Sequence, residues 1–335
     1  MRIVLLVASA KGEMCGVADY TERLAEALQR AGAEARVEFL DQWSWSEFLT
    51  VRRKYGRERR TVFHMQYPSL HLGRSISPGF LPLLLPNTFV TLHEFRLFNL
   101  LRKLIFLPTA LLSRRIIFSN QDEMTLFRSY FPLAARRLAV LPIGNNIART
   151  STRAGKPAVE RLVYFGQISR NKGIEFFLDT VARLRAAAVP VEAEIIGALV
   201  EPDATFVDMV KASAERHAIR LRLNMPPEDV STALSEATLA LLPFPDGVSN
   251  KRGSALACLD HGVSVLTTHS KLTPQWLSVV THPVQAPDDA AATITRIAHN
   301  DVERILSPEI LARELRARDW SEIAKAHLKI YETAT

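Results

Sequence analysis

The opening residues, MRIVLLVAS, leave this chain little choice of fold. An unbroken apolar run rich in β-branched side chains offers water no polar face. As a strand it must be covered on both sides, as in a parallel sheet flanked by helices. Gly12 and Gly16 then form a short loop, and an amphipathic helix places Val17, Tyr20, Leu24, Leu28 and Ala31 on one face before stopping at Gly32. Residues 37–40 read as the next strand, which completes the first unit of a doubly wound α/β domain. The alternation continues through strands at 61–65, 87–92, 115–119 and 138–141.

At 150–157 (TSTRAGKP) the composition turns small and polar, as in an inter-domain linker. The grammar then restarts: strand 161–165, loop 166–173, and a helix over 174–187 with Phe177, Val181, Leu184 and Ala188 aligned. A strand at 192–196 ends at Gly197, an apolar run fills 237–242, a helix starts near Ser254, and 263–267 closes that unit. A chain of 335 residues suits two domains of roughly 150 residues each. The expected organisation is α/β, with two Rossmann-like domains at 1–150 and 151–317. An amphipathic terminal helix lies within 318–335, using Ile323, Ala324, Leu328 and Tyr331 behind Trp320.

Hydrophobic content of 47% with 23% charged residues describes a soluble globular protein. The N-terminus reads as a strand and not as a secretory signal. The two cysteines, Cys15 and Cys258, stand far apart without metal-type spacing, which fits a reducing cytoplasm. A net charge of +7 favours anionic partners. The densest basic cluster, 51–60 (VRRKYGRERR), reads as a solvated helix end, and no aromatic–basic interleaving or helix-turn-helix pattern points to nucleic acid. No stretch reads as transmembrane, since Pro78, Pro82 and Pro86 break the uncharged segment 75–92. Segment 95–115 mixes leucine and phenylalanine with Arg96, Arg102, Lys103, Arg114 and Arg115. It is either a surface that rests on an anionic membrane, giving a peripheral seat at the inner membrane face, or two core helices joined at Pro108.

Three loops after strands are dressed for an anionic ligand. Loop 166–173 (GQISRNKG) sets Arg170 and Lys172 among glycines that allow close backbone approach. It matches neither a dinucleotide fingerprint nor a Walker loop. Segment 243–254 (PFPDGVSNKRGS) leads into a helix with Lys251, Arg252 and Gly253 before Ser254, read as its N-cap. Asp246, Ser249 and Asn250 are suited to sugar hydroxyls. At 91–95 (TLHEF), His93 and Glu94 end a strand, where a histidine can orient a hydroxyl or meet a developing charge. Cys15 beside Gly16 lacks a base partner that would make it a nucleophile.

Taken together, GEMCGVADYTERLAEALQRAG, VTLHEF, LVYFGQISRNKGIEFFLDTVARL, ALSEATLALLPFPDGVSNKRGSALACLDHGVSVLTT and RDWSEIAKAHLKIYE resemble retaining glycosyltransferases of the GT-B fold, family 4, over nearly the whole chain. The resemblance implies an N-terminal acceptor domain and a C-terminal donor domain facing a central cleft, with the last helix crossing back to the N-terminal domain. It also implies metal-independent transfer, without a cofactor, from a nucleoside-diphosphate sugar to an acceptor hydroxyl in bacterial glycan or glycoconjugate biosynthesis. UDP is weakly preferred, and the acceptor is a glycan, a lipid-linked glycan or a small molecule. Lys172 falls on the family's diphosphate lysine, His93 on its cleft histidine and Gly16 in its phosphate-approaching loop. Gln167, Arg170, Lys251, Arg252, Gly253 and Ser254 join the diphosphate set. Asp246 joins His93 as a catalytic candidate, and Cys15 and Glu94 lie on the acceptor side. The chain departs from the family at Gln167, where an arginine is usual, and in the pair of glutamates eight residues apart. Anchoring on Gly262 puts Ser249 and Ala257 there; anchoring on Asp246 leaves Ser254 as the second member. The alternative is a non-catalytic nucleotide-sugar-binding relative or a partner subunit of another transferase. A nucleotide-sugar epimerase would want more carboxylates than these loops carry.

Overall fold

The structure, a computed structural model, describes residues 1–335 except 14, 57–59, 72–74, 151–158 and 335. The expected linker, Thr150 apart, lies outside the described residues. The chain divides into two compact units. One comprises Met1–Asn146 with Arg316–Thr335, the other Ile147–Leu315.

The first unit runs β1 (Arg2–Ala8), α1 (Gly16–Arg30), β2 (Glu34–Leu40), α2 (Trp45–Tyr55), β3 (Val62–Tyr67), α3 (Leu81–Leu84), β4 (Thr88–Leu92), α4 (Leu100–Leu104), α5 (Leu107–Leu112), β5 (Arg115–Phe118), α6 (Gln121–Tyr130) and β6 (Leu138–Val140). The second begins with β7 (Glu160–Phe165), α7 (Ile174–Ala186), β8 (Val191–Gly197), α8 (Ala204–Arg216), β9 (Ile219–Leu223) and α9 (Pro227–Glu236). It continues with β10 (Leu239–Leu242), α10 (Gly253–Asp260), β11 (Ser264–Thr267), α11 (Gln275–Val280), β12 (His282–Pro283) and α12 (Pro287–Ala298). α13 (Pro308–Ala317) leads out of it, and α14 (Trp320–Ala334) belongs to the first unit.

Each unit is built on a six-stranded sheet, ordered β2-β1-β3-β4-β5-β6 and β12-β11-β10-β7-β8-β9, with every strand pair parallel. Alternate residues of β1 serve opposite faces. Val4, Leu6 and Ala8 join the core under α2, α3, α5 and α6, whereas Ile3 and Leu5 join the one under α1 and α14. In β7, Leu162 and Tyr164 meet α7, α8 and α12, and Val163 meets α9, α10 and α11. This two-sided burial is why the central strands read as continuous apolar runs.

Two local expectations are corrected, and two strands appear that no apolar run announces. Ala31 is exposed, because α1 has ended and Ala31 caps it. Ala188 lies past the end of α7 in the left-handed region, at φ +52°, and is exposed. Strand β9 carried no apolar run, since Arg220 and Arg222 alternate with its apolar residues at the sheet edge and pair with Glu194 of β8. The two-residue β12 contains Pro283, which an edge strand tolerates. The cluster at 51–60 supplies the exposed last turn of α2 with Arg52, Arg53 and Lys54.

The return of α14 is fixed by specific contacts. The Trp320 indole N–H donates to the Asn145 carbonyl at 2.7 Å, and a Cβ on Gly144 would stand 2.7 Å from the indole ring. Ile323, Ala324 and Tyr331 are buried with Tyr20, Leu24 and Leu28 of α1. The Tyr331 hydroxyl lies 2.6 Å from His64 Nδ1, and His64 Nε2 lies 2.8 Å from the Thr91 hydroxyl. His327, also fully buried, donates from Nδ1 to the Ile323 carbonyl at 2.9 Å. Burial is the main reason both imidazoles are lowered, His327 to about 4 against an ordinary 6.5; for His64 the neighbouring His327 adds to the effect.

Because these pKa values are depressed in the folded protein, the unfolded chain binds more protons between about pH 6.5 and 4, and stability falls as pH falls through that window. Thermal unfolding midpoints should drop across it, and His327→Leu should flatten the drop. An acid profile of the same slope in the variant would count against this assignment.

Candidate functional site

In an open parallel sheet, ligand space lies beyond the carboxyl ends of the strands where successive crossovers leave in opposite directions. That point falls between β7 and β10 in the second unit and between β1 and β3 in the first. The candidate residues can be placed against these two switch points.

In the second unit, glycines let the strand ends close up. A Cβ on Gly197, at the end of β8, would fall 1.8 Å from the Gly166 carbonyl oxygen, and one on Gly173 would fall 2.1 Å from that of Pro243. Gly166, at φ +151°, sits so that an added Cβ would be 3.9 Å from the Ser254 side chain. The loop after β7, the loop after β10 and the start of α10 therefore adjoin one another. The buried Tyr164 hydroxyl lies 3.0 Å from the carbonyls of both Gln167 and Lys172 and ties the first loop into an arch. Burial raises the Tyr164 pKa, which keeps the phenol protonated for that duty. Nothing in the motif flagged Tyr164. Its signal was its position, inward on a strand two residues before the loop.

The cations of these loops are not equivalent. Arg170 is ion-paired with Asp203, the N-cap of α8, stacks 4.9 Å from the Phe206 ring, and its backbone N–H donates to Glu201. The Arg170 guanidinium is the leading cause of the lowered Asp203 pKa. Arg252 is ion-paired with Asp246 and lies 4.6 Å over the Phe244 ring. Lys172 is half-buried, and among the described residues its ammonium has no ion-pair partner. The expected N-cap is corrected: Arg252 occupies the cap position without a side-chain cap, and Ser254 is the second residue of α10. Its backbone N–H thus belongs to the first turn, which lacks intrahelical acceptors. The Gly253 N–H is turned back to the Lys251 carbonyl.

The residues read for sugar contacts are spread over different duties. The Asn250 side-chain Oδ1 accepts the Trp276 indole N–H at 2.8 Å, the half-buried Ser249 hydroxyl accepts from the Lys251 N–H at 3.4 Å, and Asp246 is exposed beside Arg252. Ala257, one position offered for a ribose-holding carboxylate, is buried in the core of the unit. Gln167 is exposed at the arch.

In the first unit, Gly16 opens α1 with no atom within 4 Å of where a Cβ would stand. Cys15 caps that helix through its backbone, and its free thiol side packs with Val7 and Ala18. His93 follows β4 and is buried, its Nε2 lying 3.0 Å from Gln66 Oε1 and its ring 5.1 Å edge-on from Tyr20. With the Gln66 amide so oriented, His93 donates from Nε2. Gln66 is fully buried, and its Nε2 has no partner among the described residues. Gln66 was hidden by the early end expected for its strand. Glu94 is half-buried beside His93. Glu13 accepts the Ala10 N–H at 2.9 Å and pairs with His71, and that backbone hydrogen bond is the first cause of its lowered pKa. Among the described residues, no three His, Cys, Asp or Glu gather as a metal would require.

No curated protein matches the sequence significantly. Solved structures resemble it over its whole length. A glycosyltransferase from Rickettsia africae superposes with a TM-score of 0.75 at 11% identity, covering 99% of this chain and 98% of the other. Sucrose-phosphate synthase from Thermosynechococcus elongatus gives 0.70 at 14% identity over 99% and 98%. Anabaena HepE, solved with UDP and glucose, gives 0.66 at 12% identity over 99% and 100%. At these identities the likeness establishes the fold, the two-unit α/β arrangement of GT-B proteins. Residues 159–300 match the family model "Glycosyl transferases group 1", so the second unit carries a glycosyltransferase group 1 domain.

Proposed function

We propose that the protein transfers a sugar from a nucleoside-diphosphate sugar to an acceptor hydroxyl, with retention and without a metal. One observation carries the reading. At the β7/β10 switch point of a glycosyltransferase group 1 domain, Lys172 stands without an ion-pair partner among the described residues, while Arg170 and Arg252 are already neutralised. A diphosphate would find there one mobile ammonium, the Ser254 N–H at the start of α10, and glycines that admit close approach.

As the bond to the sugar breaks, charge builds on the departing diphosphate, and these donors stabilise it as it forms. The Arg252–Asp246 pair, braced by Phe244, fixes the rim of the same loop. Asp246, the carboxylate of these loops, is held by Arg252, so retention is assigned to attack of the acceptor hydroxyl on the face the diphosphate leaves. His93, oriented by Gln66, is assigned to the acceptor side. UDP is favoured as the nucleotide, supported by HepE having been solved with UDP and glucose. The setting is bacterial glycan or glycoconjugate assembly in the cytoplasm.

Calorimetry against UDP, GDP, ADP and TDP, with and without magnesium, should give magnesium-independent binding of one nucleotide. Lys172→Ala should weaken it by about 1.5–3 kcal/mol, the scale of a hydrogen bond to a charged group, and Arg252→Ala should weaken it less. Unchanged affinity in Lys172→Ala would remove the proposed cradle. His93→Ala should leave nucleotide affinity within about twofold but lower kcat by roughly 10²-fold or more, and Gln66→Leu should lower kcat in the same direction. Nucleotide binding with no turnover of any donor would assign the protein instead to a non-catalytic relative, a reading favoured by the buried alanine at 257.

A further inference from the structure

The segment 95–115 folds with its faces inverted. Phe95, Phe98, Phe106 and Ala110 are buried in the core of the first unit, so the fold's own need for apolar cover is met on the inner side. The outer side of α4 and α5 and the turn before them should then be polar. Instead Leu97 in the turn, Leu100, Leu101 and Leu104 on α4, and Leu107 and Leu111 on α5 are all exposed. Leu97 is 75% exposed and Leu101 72%. A row of this length is far from the scattered single leucines of ordinary surfaces and marks a contact the fold itself does not use.

The charges around the row select the occupant. From 61 to 121 the chain holds a single acidic residue, Glu94, against six Lys and Arg. Arg96 and Arg114 are exposed beside the leucines. Arg102 and Lys103 are held at their edge over aromatic rings, with Arg102 5.9 Å from Phe98 and Lys103 5.3 Å from Tyr130. A second copy of the chain docking on this face would bring cation against cation. A bilayer with anionic headgroups offers what the surface presents: hydrocarbon for the leucines and negative charge for the rim.

We propose that the leucine face of α4 and α5 seats the protein on an anionic lipid surface, with the side chains entering the headgroup–acyl boundary and the flanking cations meeting lipid phosphates. No helix of the described residues is long and apolar enough to cross a membrane, so the contact is made from one side. The inference does not rest on the donor assignment, and its test needs neither donor nor acceptor.

The full chain is floated with vesicles of phosphatidylcholine alone and of phosphatidylcholine mixed with phosphatidylglycerol. It should float with the mixed vesicles, and the bound fraction should fall with salt. Leu101→Glu combined with Leu104→Glu should cut partitioning by about tenfold or more. Leu272→Glu, at a leucine 50% exposed in the second unit, should partition like the unmodified protein. Melting temperature and nucleotide binding are read in parallel. Should the double leucine variant unfold, Arg96→Gln with Arg102→Gln replaces it and should reduce flotation with the mixed vesicles. No flotation with any vesicle, flotation unaffected by the substitutions, or a leucine-dependent dimer by light scattering would each overturn the proposal.

Discussion

Two parallel strands cannot be joined by a tight turn, and much else in this protein follows from that fact. Each connection must cross a face of the sheet, so the crossing helices bury both faces and the strands between them become apolar along their length. Crossovers that start in opposite directions from β1 and β3, or from β7 and β10, leave a gap at the carboxyl ends of those strands. The glycines at 166, 173 and 197 are placed where this geometry forces backbone against backbone, with no room for even one added carbon at the last two. The ligand space follows from the topology, and the side chains around it decide what it holds.

Those side chains divide by what they are already bound to. Arg170 and Arg252 look like phosphate ligands in the sequence, yet each is engaged by a carboxylate and an aromatic ring, which locks its position. Such residues shape a loop. Lys172 has a backbone pinned by Tyr164 and, among the described residues, an ammonium without an ion-pair partner.

The architecture was legible because burial on two faces writes itself as unbroken apolar runs, and 1–9, 161–165 and 237–242 carry that signature plainly. It failed where burial is incomplete. Strand β9 alternates arginines at a sheet edge, and β12 is too short to make a pattern. Helix ends were misjudged for a related reason: Ala31 and Ala188 continue an apolar spacing in sequence after the backbone has left the helix. At the candidate site, residue type and loop position were readable, but pairing was not. Nothing in the sequence tells Arg170 that Asp203, thirty-three residues on, will be its partner, or joins Gln66 to His93.

The first unit is discontinuous in the chain, closed by α14 over α1, while the second is a single uninterrupted stretch. A ribosome delivers residues in order, and domains tend to fold as they emerge. The opening sheet is therefore delivered first but without the α14 side chains that join Tyr20, Leu24 and Leu28 in their core, and the histidine at 64 waits for a tyrosine made 267 residues later. The second unit has all it needs before that tyrosine exists. The half that is synthesised first is the half that is finished last.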